Sequence, residues 1–512
     1  MTAHRLLILV LLISAFSAAK SSAAPHPNFI VILTDDQGWG TTSALYDPQV
    51  PDSKSDFHQT PNIERLAAAG MRFTQGYSAH PNCSPSRASL LTGRSPAALH
   101  FTDICNRDKG PLYDGNRLIP PAHINALPAE EQTIPELLKA AHPEYTTAHF
   151  GKWHLEGGGP EAHGFDASDG NTGNGDGSQK ANLPDDPKKC FSLTARAIDW
   201  MEEQANADKP FYLQVSHYAT HLGLQSRPVT TEPFKKAAPG TRHANIPFAA
   251  MIADMDESIG QLLDALDASG AADNTYVIYT SDNGTFPIES PGNINGPLHG
   301  SKATVWEAGV RVPFIVTGPG IAADSISRQP AIGYDILPTI CDLAAVKAIP
   351  ESVEGGSLLP ALHQTGDIAR TRDALHFHWP HYQHGKKSKP DSTIIAGGYK
   401  LHYWWETGDL HLYNLKSDLA ETKNLATTQP EKAAALKKQL FNYLKEIDAQ
   451  LPTENKTYDP ATDPVLKKEQ SKSQGPAKPK GQPSAKGGKV RGACPSFLDC
   501  AIRIAPNMSH FS

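Results

Sequence analysis

The segment that most restricts the fold is Asn28–Thr34, NFIVILT, which runs directly into Asp35-Asp36. Phe29 to Leu33 is wholly apolar and rich in β-branched residues. A strand with one wet face would alternate polar and apolar side chains, so this run predicts a strand covered on both faces, as in a parallel sheet. A second run, Tyr276–Thr280, ends in the same manner, in Ser281-Asp282-Asn283-Gly284. Helical spacing recurs at Asn62–Gly70, Thr133–Ala141, Leu193–Ala205 and Phe248–Ala268, interleaved with the strand candidates Phe211–Ser216 and Phe314–Thr317. That alternation predicts an α/β fold with a mostly parallel sheet sandwiched between helices, occupying residues 25–375.

The pattern changes after about residue 375. Tyr399–Trp405 and Leu410–Leu415 read as neighbouring antiparallel strands and Pro430–Leu451 as a closing helix, which predicts a smaller α+β subdomain over 376–455. Residues 456–512 are rich in Lys, Pro and Gly and bury too little apolar surface to order themselves, so they read as a solvated tail. At the other end, Arg5 precedes the apolar run Leu6–Ile13 and the small residues Ser22-Ala23-Ala24. This is the pattern of a cleavable signal peptide over 1–24, and the run is too short for a membrane anchor. A secreted or periplasmic chain is expected.

Six cysteines are few for an exported chain of 512 residues, which excludes a disulfide scaffold. Cys494 and Cys500 are close enough to pair; Cys105, Cys190 and Cys341 could be buried thiols or form one bridge. The net charge of -7 gives no general attraction to nucleic acid, so an anionic substrate needs local cations.

Ligands of doubly wound sheets bind beyond the carboxyl ends of the strands. Two buried strands there deliver Asp35, Asp36, Asp282 and Asn283: three carboxylates and an amide oxygen. Carboxylates that close need a cation, and an oxygen-only set suits Ca²⁺ or Mg²⁺ where zinc would recruit His or Cys. Either segment alone reads equally as a turn or a helix cap.

The segment His80–Arg94, HPNCSPSRASLLTGR, leads from a loop into a short helix whose first turn suits Pro85. Cys83 just before that helix would face free N–H groups and the positive end of the helix dipole, as an acidic thiol nucleophile or a buried thiol. Cys83-x-Pro85-x-Arg87 followed by Leu91-Thr92-Gly93-Arg94 resembles the signature of type I sulfatases, members of the alkaline-phosphatase-like superfamily. The resemblance extends, in order, through Asp35-Asp36, Gly151-Lys152-Trp153-His154, the histidines His217 and His221, Asp282-Asn283-Gly284, His299–Pro313 and Leu412–Leu425. It covers roughly residues 27–450, with Thr220 where the family usually has Pro and Gly300-Ser301 where Gly-Gly is common.

The resemblance implies sulfate-ester hydrolysis by a sulfuric ester hydrolase whose Cys83 is oxidised to formylglycine (3-oxoalanine) by a separate maturation enzyme. It implies that Asp35, Asp36, Asp282, Asn283 and residue 83 hold the cation, and that Arg87 steadies residue 83. Lys152 and Lys302 would bind sulfate oxygens, His154 would remove a proton from residue 83, and His221 or His217, better matched by His221, would protonate the departing alcohol. Within His376–Tyr382, read as a loop, His378 and His381 could bond sugar hydroxyls or simply pack a domain junction. A sulfated glycan is the expected substrate, with an aryl sulfate as alternative. A phosphodiesterase, a phosphonate hydrolase and a non-catalytic glycan-binding protein are the rival readings. Asn82-Cys83-Ser84 and Asn283-Gly284-Thr285 fit the N-glycosylation pattern, yet a glycan at either would obstruct this site.

Overall fold

A computed structural model describes residues 26–105, 115–178, 183–288, 294–383, 388–461 and 463. The expected signal peptide, Cys494, Cys500 and nearly all of the expected tail lie outside them. An eight-stranded sheet forms the centre, in the order Ser325–Ser327, Met71–Phe73, Phe314–Thr317, Thr275–Ser281, Asn28–Thr34, Phe211–Ser216, Thr146–Gly151 and Ala167–Ser168. Only Phe314–Thr317 runs against its neighbours; the remaining pairings are parallel.

Asn28–Thr34 sits in the middle, and its apolar residues serve two cores. Phe29, Val31 and Leu33 pack on one face with Leu90, Leu91, Leu337 and Ile340. Ile30 and Ile32 pack on the other with Met251, Met255 and Ile259 of the long helix Ile246–Ser269. Burying each such side chain contributes about 1.5–3 kcal/mol, so a polar residue anywhere in this strand would be costly.

A second sheet of four antiparallel strands follows: Leu375–Trp379, Asp391–Ala396, Tyr399–Trp404 and Leu410–Asn414. The middle hairpin turns on Gly397-Gly398, both at positive φ (59° and 82°), as a two-residue turn matching strand twist requires. One face packs Ile394, Leu401 and Leu412 on the helix Pro430–Glu446. The other sets Phe377 and Trp379 against Tyr77, Val305 and Ile332 of the larger unit. The stretch read as a His-rich loop is therefore a strand from Leu375 to Trp379, its alternate aromatics forming the seam. Cys105, Cys190 and Cys341 are free buried thiols, so the bridge left open among them is not formed.

Candidate active site

Asp35 and Asp36 leave the central strand at its carboxyl end, and Asp282 and Asn283 leave the adjacent strand at the same level, because Thr34 pairs with Ser281. Asp36 has φ 62°, a conformation that a non-glycine residue keeps only when its surroundings enforce it. They do. Its N–H donates to Asp282 Oδ1 at 3.1 Å, and its carbonyl accepts from Thr220 Oγ1 at 3.0 Å and Thr285 Oγ1 at 3.1 Å. Glycine follows Asp282-Asn283 for want of room, since a Cβ on Gly284 would lie 1.8 Å from the carbonyl oxygen of Ala308.

The helix Cys83–Thr92 brings the cysteine in from the side. Cys83 occupies the first helical turn, one position further in than expected. Its Sγ is 3.5 Å from Asp35 Oδ1, 3.9 Å from Asp36 Oδ1 and 3.0 Å from Lys302 Nζ. One ligand atom from each of Asp35, Asp36, Cys83 and Asp282 falls within 4.8 Å of the others. One turn along the helix, Arg87 Nε donates to Asp282 Oδ2 at 2.9 Å, and Nη1 donates to the carbonyl of Lys152 at 2.6 Å. Lys152 follows the strand Thr146–Gly151 and donates to Asp35 Oδ2 at 2.7 Å. Lys302 Nζ donates to Asp36 Oδ1. All of these groups are buried.

Three carboxylates thus face three cations. Burial pushes the Cys83 thiol up to about 12, and the charge of Asp282 pushes the same way. The acidity expected from the helix terminus is overridden, and Cys83 as encoded is a protonated thiol, a poor nucleophile. Burial and then Asp35 raise Asp282 to about 6. Burial works against the charge of Asp35 as well, yet Lys152 foremost, then His221 and Arg87, hold it well below the carboxylate range. Two buried oxygens, Asp36 Oδ2 and Asn283 Oδ1, have no hydrogen-bond donor. Orphaned acceptors cost about 1–3 kcal/mol each, and a hard divalent cation is the partner such oxygens fit.

Three histidines flank this cluster. His221 Nε2 is 3.9 Å from Asp36 Oδ2, and its side chain is 23% exposed; burial drives it down to about 4. His217 is fully buried with neither ring nitrogen bonded, which leaves His221 as the histidine at the carboxylates. His154 has a positive φ of 57° and a buried, unpartnered Nδ1. Burial, with Lys152 and Arg87 nearby, depresses it well below its ordinary value.

His378 and His381 are not brought into the cluster. His378 lies on the strand Leu375–Trp379 with Nδ1 2.6 Å from Ser392 Oγ and Nε2 2.9 Å from the Gln450 carbonyl, and His381 Nε2 is 2.8 Å from Thr102 Oγ1. Both are buried, so these bonds tie the second sheet to its surroundings. Thr220 and Thr285, which the sequence singles out only as a departure from the family pattern and as part of a sequon, fix the Asp35-Asp36 carbonyls, and the ring of Phe286 lies 5.2 Å from Lys302 Nζ and 6.3 Å from the His221 ring. Nothing in the spacing of two threonines announces such a role. Asn82 and Asn283 are both buried, so neither asparagine side chain offers a surface for a glycan.

Residues 27–346 match the family model described as Sulfatase, and residues 299–450 match one described as N-sulphoglucosamine sulphohydrolase, C-terminal. N-acetylgalactosamine-6-sulfatase of Mus musculus is 30% identical over 451 residues, covering 82% of this chain and 80% of its own length. Arylsulfatase A of Homo sapiens is 30% identical, covering 86% and 91%. The crystal structure of Ps i-CgsB superposes with a TM-score of 0.67 at 23% identity over 82% of this chain and 93% of its own. With Cys83, Arg87, two lysines and the strand-end carboxylates gathered at one point, the chain belongs to the type I sulfatase family and is a sulfuric ester hydrolase.

Proposed function

We propose that this enzyme removes sulfate from a sulfated carbohydrate, with Cys83 oxidised to formylglycine by a maturation enzyme. Asp35, Asp36, Asp282, Asn283 and residue 83 would hold Ca²⁺, or Mg²⁺ in its place. The observation that carries this reading is the setting of Cys83: a thiol at about 12, useless as a thiolate, beside two orphaned oxygens and a lysine ammonium. The oxidised, hydrated side chain supplies two hydroxyls on one carbon, one to attack sulfur and one whose later deprotonation releases sulfate, and the cation supplies Lewis acidity.

The chain's own residues have separable tasks. Arg87 neutralises Asp282 and fixes the first turn of the helix that carries residue 83. Lys152 and Lys302 now pair with Asp35 and Asp36. Once a cation balances those carboxylates, both ammonium groups can turn their charge to sulfate oxygens. His154, kept neutral by burial, accepts a proton from residue 83. His221 is neutral in the free site, and the negative charge of a bound sulfate ester raises its proton affinity, so that it can protonate a departing alcohol.

A sugar alkoxide needs that proton more than a phenoxide does. The relative named N-acetylgalactosamine-6-sulfatase supports a carbohydrate ester over an aryl sulfate. We place the catalytic unit at 25–375 and the subdomain at 376–455 of an exported chain; no described helix is long and apolar enough to cross a membrane. The test is the mass of the tryptic peptide containing residue 83, together with sulfate release from sulfated glycans. The expected results are an aldehyde in place of the thiol and sulfate release that Cys83→Ala lacks. Turnover of an aryl phosphate far exceeding that of the matching sulfate would overturn the reading.

A further inference from the structure

Beside the sulfate site lies a second cavity, of about 390 Å³, between the segment that carries Lys302 and the four-stranded sheet. Its size falls within the ~300–1,000 Å³ of small-ligand pockets. Ser301 and Pro287 line it. Their chain neighbours, Lys302 and Phe286, stand at the sulfate site, so the two regions adjoin.

The lining combines ring surface with hydroxyl-binding groups. Trp306 is held by two rings, His299 stacked at 4.2 Å and His402 tilted at 4.3 Å, which rigidifies that side. Trp404, at the end of its strand, contributes a second indole, whose N–H is buried with no acceptor. Ser388 supplies a hydroxyl at the rim, while the neighbouring charges are held by the protein itself: Lys389 pairs with Glu406 at 2.6 Å and Asp391 with His402 at 2.8 Å. Apolar ring faces edged by a few fixed polar groups match a pyranose, which presents C–H faces and a rim of hydroxyls. An aryl sulfate has nothing to place there.

We propose that this cavity is the subsite for the sugar unit joined to the sulfated one, with Trp404 as its stacking surface. The proposal rests on the carbohydrate reading above and extends it from the sulfated residue to its neighbour. The enzyme therefore prefers an oligosaccharide to the corresponding sulfated monosaccharide.

The experiment compares kcat/KM of the mature enzyme on sulfated tetrasaccharides of 6-sulfated chondroitin, on N-acetylgalactosamine 6-sulfate and on 4-nitrophenyl sulfate, for the parent, Trp404→Ala and Trp404→Phe. Loss of one stacking contact lowers the ratio of tetrasaccharide to aryl-sulfate efficiency by about tenfold in Trp404→Ala, through KM. Trp404→Phe keeps most of the ratio. Equal losses on tetrasaccharide and aryl sulfate, or a parent ratio retained in Trp404→Ala, would overturn the subsite while leaving the carbohydrate reading intact. A parent enzyme that cleaves the aryl sulfate but neither carbohydrate overturns both.

Discussion

Two buried clusters of charge in this protein contain the same numbers and behave differently. At the strand ends, Asp35, Asp36 and Asp282 face Arg87, Lys152 and Lys302. At the seam between the two sheets, Glu307, Glu421 and Asp391 face Arg311, Lys400 and His402. The seam is closed. Lys400 Nζ lies 3.0 Å from Glu307 Oε1 and 3.1 Å from Glu421 Oε1, and both ring nitrogens of His402 are bonded to carboxylates. Tyr77 donates to Glu307, whose own N–H donates to Glu421. The strand-end cluster, by contrast, leaves Asp36 Oδ2 and Asn283 Oδ1 without donors. Equal counts of charge therefore do not define a salt-bridge network. Completeness of hydrogen bonding separates a cluster built to hold the fold from one built to hold something else.

That contrast can be broken at either end. The largest effect is expected from Cys83→Ala, which should lower sulfate release by about 10⁴-fold or more with little change in thermal unfolding, because no structural ion pair is lost. A Tm drop as large as that of a seam variant would place Cys83 in the structural class. Lys400→Met leaves two buried carboxylates facing each other and should destabilise the protein by about 3–5 kcal/mol, read by denaturant unfolding. A neutral result would show that the seam is dispensable.

Chelation is the next test. Removing divalent ions should abolish turnover and lower stability by about 2.7 kcal/mol relative to protein at 100 times the dissociation constant, both restored by Ca²⁺. Because the orphaned oxygens lie at the strand ends and not at the seam, His402→Gln should lose the same increment as the parent. The smallest effect is the pH dependence of the seam. Burial opposes the charge of His402, but Asp391 foremost, then Glu421, raise it above its ordinary value. A raised folded-state value stabilises fully below the unfolded value of about 6.5 and is lost as pH rises through the folded one. Unfolding of the parent should show stability declining as pH rises above about 6.5, and His402→Gln should flatten that decline. An unchanged slope in the variant would mean that His402 carries no charge at the seam.

What could be read in advance divides by whether burial is written into the strand itself. Asn28–Thr34 and Phe211–Ser216 each carry a run of apolar residues, Phe29–Leu33 and Phe211–Leu213, and were legible to the residue. Thr146–Gly151, which positions Lys152, is TTAHFG and was not among the strand candidates; its polar residues are satisfied by neighbours, Thr147 by Asp166 and His149 by Ser216. Asp391–Ala396 was missed for the same reason, since Asp391 and Thr393 meet His402 only once the hairpin exists. In the Leu375–Trp379 segment the alternation of aromatic and His was visible, but a buried face holding two histidines is legible only once Ser392 and Gln450 bond His378 and the Tyr443 ring stacks on His376. The oxygen set was legible because both of its halves end strong strands. The threonines that fix Asp36 were not, because a hydroxyl bonding a distant carbonyl leaves no periodic trace.

The burial of Cys83 bears on the order of events in the cell. Only 1% of its surface is open, and its backbone is already wound into a helix against the central sheet. No second protein could reach that thiol in the finished structure without dismantling its core. On the proposed chemistry, oxidation must come while the chain is still extended, so maturation and folding are in a race. A molecule that folds first is stable and permanently without activity.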